Sequence, residues 1–309
     1  MAQRTIELIG APVEAGAGRR GCVMGSDALR VAGIGETLAS LGYAVVDRGN
    51  VTPHADTAIR LPGAARNAGE ITGWTRALGA AGHDAMQRGA FPLFLGGDHS
   101  LAMGSVSGVA RHAASVGKPL FVLWLDAHSD FNTPHTSPSG NMHGMPVAFF
   151  CGEEGFDGIL PAGRPLVTPD NVFQLGIRSV DPAEREAVSR RGVNVFDMRA
   201  LDERGAASIM RDIIATVSKA GGLLHVSLDV DFLDPDVAPG VGTTVPGGAT
   251  FREAHLVMEM LCDSGLVASL DLVELNPFLD DRGKSARIMV ELTASLFGRR
   301  IFDRPTQAA

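Results

Sequence analysis

The stretch Phe121-Val122-Leu123-Trp124-Leu125 runs without a polar break into Asp126-Ala127-His128-Ser129-Asp130. Five consecutive apolar residues suit a strand covered on both faces, as at the centre of a parallel sheet. The chain then presents three metal-capable side chains in five residues, where a strand gives way to a loop. In open α/β sheets that carboxyl end is where ligands collect. Extended geometry would aim Asp126, His128 and Asp130 to one side. Two carboxylates and an imidazole converging there repel unless a cation sits between them. In isolation, the same pattern also suits a polar loop whose aspartates cap the next helix.

The surrounding chain alternates strand and helix signals. Strands are expected at Thr5–Gly10, Tyr43–Asp47, Phe91–Leu95, Phe121–Leu125, Val172–Ile177, Val193–Phe196, Leu223–Leu228 and Leu266–Leu272. Helices are expected from about Ser26, with Ser26 or Asp27 placed to cap, and over Glu70–Arg88, Pro182–Arg191, Arg252–Cys262 and Lys284–Phe297. Further helices precede Val116 and carry Ile209, Ile213 and Val217 on one face. Thr52–Arg66, Asn132–Pro146 and Gly152–Pro169 read as irregular segments. With no composition break and no repeat, the pattern predicts one α/β domain over residues 1–309, a largely parallel sheet between layers of helices.

A chain of 309 residues that is 45% hydrophobic and 20% charged can bury a sizeable core. Its net charge of −8 and lack of a Lys/Arg-rich run argue against nucleic acid as a main partner. No window holds about 18 consecutive apolar residues, so no membrane partner is expected. Cys22, Cys151 and Cys262 are widely spaced, without CxxC, which suits reduced thiols in a cytosolic protein. The N-terminus shows no charged-then-apolar leader. These features predict a soluble cytoplasmic protein.

Three strand ends carry potential ligands: His99 after Leu95, Asp126, His128 and Asp130 after Leu125, and Asp229 and Asp231 after Leu228. That coincidence outweighs any one motif. Four aspartates and two histidines exceed the needs of one tetrahedral zinc with an open position. They suit two ions about 3.5–4 Å apart, bridged by carboxylates. Ligands dominated by oxygen favour a harder ion such as manganese.

Gly96-Gly97-Asp98-His99-Ser100, Asp126-Ala127-His128-Ser129-Asp130 and Ser227-Leu228-Asp229-Val230-Asp231-Phe232-Leu233-Asp234-Pro235 resemble the three metal motifs of the arginase/agmatinase (ureohydrolase) family. The resemblance runs from Ile9-Gly10-Ala11-Pro12 to Glu274-Leu275-Asn276-Pro277. It implies a three-layer α/β domain with an eight-stranded parallel sheet, and two Mn2+ ions as cofactors. It assigns His99, Asp126, Asp130 and Asp229 to one ion, and Asp126, His128, Asp229 and Asp231 to the other, with Asp126 and Asp229 bridging. It also implies a homotrimer or homohexamer.

By the same resemblance the activity is hydrolysis of a guanidino compound, foremost L-arginine to L-ornithine and urea, by a hydroxide bridging the two ions. Glu274 matches the carboxylate that holds the cationic guanidinium. Asp130 is placed to hydrogen-bond the nucleophile and move its proton. His143, in Ser139-Gly140-Asn141-Met142-His143-Gly144, matches the family's acid or proton shuttle. Thr243 occupies the family's hydroxyl position near the guanidinium. Asn132, Ser137, Ser139 and Asn141 are neutral donors suited to the α-carboxylate, and Asp181 matches the residue that reaches the α-ammonium. Ser and Asn in this loop would also serve simply to close a turn.

Ser179 and Thr244 depart from the family pattern, which has an acid and a proline there. Agmatine, guanidinobutyrate or formiminoglutamate are alternative substrates, and a catalytically silent binding or regulatory homologue is the alternative of another class. Asp98 and Asp234 are expected to fix loops and helix starts, Trp74 and Trp124 to fill the core, and the Gly16–Gly25 loop to close over the fold rather than cradle phosphate. His54, His83, His112, His135, His225 and His255 lack ligand spacing and read as structural or surface residues.

Overall fold

In the computed structural model, which describes residues 4–302, eight strands form one sheet: β1 (Ile6–Ala11), β2 (Val45–Asn50), β3 (Phe91–Gly96), β4 (Leu120–Leu125), β5 (Val172–Ile177), β6 (Asn194–Asp197), β7 (Leu223–Asp229) and β8 (Val267–Val273). Residues 1–3 and 303–309, part of the expected domain, lie outside the described residues. The strand order is β2-β1-β3-β8-β7-β4-β5-β6. Every neighbouring pair is parallel.

The unbroken apolar run of β4 follows from its central place. Phe121, Leu123 and Leu125 enter the core on one face, beneath the helices Ala206–Lys219, Phe251–Ser264 and Lys284–Leu296. Val122 and Trp124 enter the other, beneath Ala68–Gln87 and Ala102–Ser115. Period-two alternation therefore supplies two cores from one strand. The helices Ala68–Gln87 and Ala102–Ser115 meet through glycine: a Cβ on Gly108 would lie 2.4 Å from the Gly79 carbonyl oxygen. His225 is buried within the sheet, its Nδ1 2.7 Å from Ser269 Oγ and its Nε2 3.1 Å from Asp271 Oδ2. It thus fills a structural place, as do the core residues Trp74 and Trp124.

The cap expected at the first helix does not form. The first helix, Gly25–Val31, has no side-chain cap, because Ser26 Oγ instead donates to the Leu95 carbonyl oxygen at 2.5 Å. A hydroxyl buried against β3 had a tertiary partner that local pattern could not reveal.

The topology positions the site. β3, β8, β7 and β4 are consecutive in the sheet, although β8 is the last strand in sequence. Their carboxyl ends therefore bring His99, Glu274, Asp229, Asp231 and Asp126 into one region.

Candidate active site

Tight backbone packing holds each strand end. A Cβ on Gly97 would lie 2.1 Å from the Val13 carbonyl oxygen, so the turn after β3 fits only without a side chain. Asp98 then accepts from Ser100 N at 2.9 Å, and from Gly16 N and Ala17 N at 2.8 and 3.0 Å. This carboxyl group ties the Gly-rich loop to β3 and sets His99 at the start of a short 3-10 turn. Asp234 has a similar task, accepting from the Asp236, Gly247 and Gly248 amides.

His99 is fixed on two sides. Its ring stacks on Trp124 at 4.0 Å and 4° between planes, and its Nε2 lies 2.8 Å from Ser227 Oγ. With the proton on Nε2, Nδ1 presents a lone pair. Nδ1 faces Asp126 Oδ2 at 3.0 Å, Asp229 Oδ2 at 3.1 Å and Asp130 Oδ2 at 3.2 Å. Yet Nδ1 and Asp126 Oδ2 are both buried without a hydrogen-bond partner. These spacings match neighbouring ligands about 3 Å apart around an octahedral ion with bonds of about 2.1 Å.

A second donor set joins Asp126, His128 and Asp231. His128 Nδ1 lies 3.1 Å from Asp231 Oδ2 and 3.5 Å from Asp126 Oδ1. The two oxygens of Asp126 thus face the two sets. Asp229 meets the first set through Oδ2, while its Oδ1 accepts the Asp231 amide at 2.8 Å. The Asp126 loop is not extended: Asp126 Oδ1 takes the His128 amide at 2.6 Å, and Asp130 has a φ of 49°. His128 and Asp130 consequently turn to different sets rather than to one point.

The charges demand compensation. Burial, with the charges of Asp231 and Asp126, pushes the Asp229 carboxyl well above its usual range. Burial and Asp126 push Asp130 up to about 6. Oxygen-rich donors, unpaired lone pairs and repelling acids together fit divalent cations.

Above these sets opens a cavity of about 150 Å³, lined in part by Asn132, Ser137, Ser139, Asn141, His143, Ser179, Asp181, Glu184, Thr243 and Glu274. Glu274, at a φ of 63° just beyond β8, is one of four non-glycine residues with positive φ among those described; Asp130 is another. Such backbone costs energy and persists where surrounding contacts over-determine it. Here Glu274 N donates to Gly97 O at 2.8 Å, and Glu274 Oε1 accepts from His99 N at 2.8 Å. Oε1 also lies 2.8 Å from His143 Nδ1. Burial alone would lower the His143 pKa; the charge and hydrogen bond of Glu274 outweigh it and raise it to about 9.

The cavity's outer wall has fewer charges. Ser137 Oγ accepts from Gly140 N at 3.0 Å and Ser139 Oγ from Asn141 N at 3.1 Å, so both serines close the turn. Each hydroxyl still has its proton to donate. Asn132 Nδ2 donates to Asp181 Oδ2 at 3.0 Å, and Thr243 Oγ1 to Asp231 Oδ2 at 2.9 Å.

Two neighbours were not anticipated from sequence. Glu184 lines the cavity and takes the Phe131 amide at 2.6 Å. Its spacing from Asp181, a capping box at the start of Pro182–Arg191, was the available signal. Cys22 places its sulfur beside Glu274, 252 residues away, and no local pattern marks it.

The family model described as "Arginase family" matches residues 4–298. An arginase of Agrobacterium fabrum is 56% identical over 306 residues, covering 99% of this chain and 94% of the relative. An arginase of Brucella melitensis is 56% identical, covering 97% of this chain and 98% of the relative. The native structure of arginase from Bacillus caldovelox superposes with a TM-score of 0.90 at 40% identity, covering 97% of this chain and all of that one.

Proposed function

Because the chain belongs to the arginase family, we propose that it hydrolyses L-arginine to L-ornithine and urea, using two manganese ions. The observation that carries this reading is the pair of donor sets sharing Asp126, set beneath a narrow cavity that Glu274 also lines. His99, Asp126, Asp130 and Asp229 would hold one ion; Asp126, His128, Asp229 and Asp231 would hold the other. Their oxygen-rich chemistry favours manganese. When bound, the two cations lower the pKa of water and neutralise developing negative charge.

The protein's own groups supply the rest. Glu274 binds the guanidinium through charge-assisted hydrogen bonds in a buried place where water competes little. Asp130, with Oδ2 in the first donor set, keeps Oδ1 on the Gly144 side of the cavity, where it can accept the nucleophile's proton. His143, anchored through Nδ1 by Glu274, is protonated near neutral pH and gives the Nε2 proton to the leaving amine. Asn132, Ser137, Ser139 and Asn141 offer neutral donors to the α-carboxylate, where a cationic side chain would repel the substrate's guanidinium. Asp181 receives the α-ammonium. Thr243 steadies Asp231 beside the guanidinium.

One sheet draws its strands from Ile6 to Val273, which supports a single catalytic domain over residues 1–309. The same reading makes the protein a cytoplasmic homotrimer or homohexamer. Three free cysteines agree with a reducing compartment. No described helix is long and apolar enough to cross a membrane.

The decisive test is urea release from arginine and agmatine side by side after manganese loading. Agmatine lacks only the α-carboxylate, so the donors around it would be left unpaired. The ratio of kcat/KM for arginine over agmatine is expected to be at least on the order of 10². Asn132→Ala combined with Ser139→Ala should narrow it. Equal or better turnover of agmatine would overturn arginine as the substrate, and no urea from any guanidino compound would leave a formimino substrate or a silent homologue.

His143→Asn removes the titratable ring while keeping a polar group. Turnover should fall by about 10²–10⁴-fold, with manganese content unchanged and partial rescue by imidazole. Unchanged turnover across the pH range would exclude His143 from any rate-limiting proton step.

A further inference from the structure

We infer that Cys22 is a positioning residue for Glu274, its thiol donating to the carboxylate oxygen that receives the substrate guanidinium. The inference rests on the proposed binding role of Glu274. Glu274 Oε1 is already engaged by the His99 amide and His143 Nδ1, each at 2.8 Å. Oε2 has a different neighbour, Cys22 Sγ at 3.6 Å, and the same sulfur lies 3.9 Å from the Glu274 carbonyl oxygen. Two contacts from one sulfur therefore address both the side chain and the backbone of a residue held at positive φ.

The placement of that sulfur is built in. Gly21 has a φ of 128°, and a Cβ there would strike Asn276 Oδ1 at 2.0 Å. Asn276 Nδ2 donates to the Arg20 carbonyl oxygen at 2.9 Å. Residues 20–22 are thereby latched to the segment just after Glu274, and Cys22 is left only 1% exposed. Burial, then the charges of Glu274 and Asp98, push the thiol pKa far up, so the group remains a donor.

A thiol suits this position because it is a weak donor. It fixes the rotation of the carboxylate without neutralising Oε2. The stronger donors of the guanidinium can then share the same oxygen. Loss of the thiol frees the carboxylate plane to turn, and ground-state binding should suffer before chemistry does.

The test compares Cys22→Val, which retains an apolar body without a donor, with Cys22→Ser, which retains a donor of shorter reach. Both are made in the full chain and loaded with manganese. The valine variant should raise KM for arginine by about two- to sixfold, the range of a weak hydrogen bond. Its kcat, manganese content and Tm should stay near those of the parent, and the serine variant should recover most of the KM. Cys22→Ala, which cannot overfill the space, carries the same expectation as valine if valine lowers Tm. An unchanged KM in the donorless variants, or an equal rise in valine and serine, would overturn the inference. Glu274→Gln separates the two levels: if it too leaves KM unchanged, the guanidinium role itself fails. If Glu274→Gln raises KM while Cys22→Val does not, only the role of Cys22 fails.

Discussion

Asp126→Ala is expected to lower urea release by at least about 10³-fold, because one carboxylate serves both donor sets and each cation is worth several kcal/mol to the transition state. Its Oδ2 lies 3.0 Å from His99 Nδ1, and its Oδ1 accepts the His128 amide at 2.6 Å. Removing both oxygens opens one set to the other and frees the loop that carries His128. His99→Ala should chiefly weaken the first set, since the second uses Asp126, His128 and Asp231. Manganese titration distinguishes the cases: Asp126→Ala should lose affinity at both sites, His99→Ala mainly at one. Two sites of unchanged affinity in Asp126→Ala would show that the carboxylate does not bridge.

Much of this arrangement was legible because strand physics is local. The apolar run of β4 announced burial on both faces, and Phe121 and Val122 do enter opposite cores. Acid and histidine residues at strand ends marked the edge of the sheet where the two donor sets form. Strand order was not legible from residues alone, because periodicity says which face a side chain takes but not which strand lies beside it. The neighbourhood of β3 and β8 joins segments far apart in sequence. The same limit hid Cys22, which reaches Glu274 only through that neighbourhood. Asp130, expected from sequence as a ligand, faces a different donor set from His128 for another reason. Its left-handed backbone breaks the alternation that would have grouped it with His128, and an aspartate tolerates that conformation well enough to give no sign in sequence. Ser26 failed as a cap because a buried carbonyl on β3 outcompeted its own helix.

Glu274→Gln provides the sharpest test of substrate capture, because its geometry separates two roles of one side chain. The contacts from the His99 amide and His143 converge on Oε1, and only the weak Cys22 thiol addresses Oε2. A glutamine can place its carbonyl oxygen at the Oε1 position and keep the first two contacts. Its amide nitrogen then occupies the place of Oε2 and points donors at a guanidinium that carries only donors. The substrate cation loses its buried counter-charge and meets a repulsive dipole. Truncating one partner of a buried charge pair typically costs about 2–5 kcal/mol, with about 1.4 kcal/mol for each tenfold. The added donor clash puts the expected fall in kcat/KM at about 10³–10⁴-fold. Glu274 belongs to neither donor set, so manganese content should remain near that of the parent. A fall of less than tenfold with intact metal content would mean that Glu274 only braces His99 and His143. The guanidinium would then require another acid in the cavity, and Glu184 and Asp181 are the remaining wall carboxylates outside both donor sets.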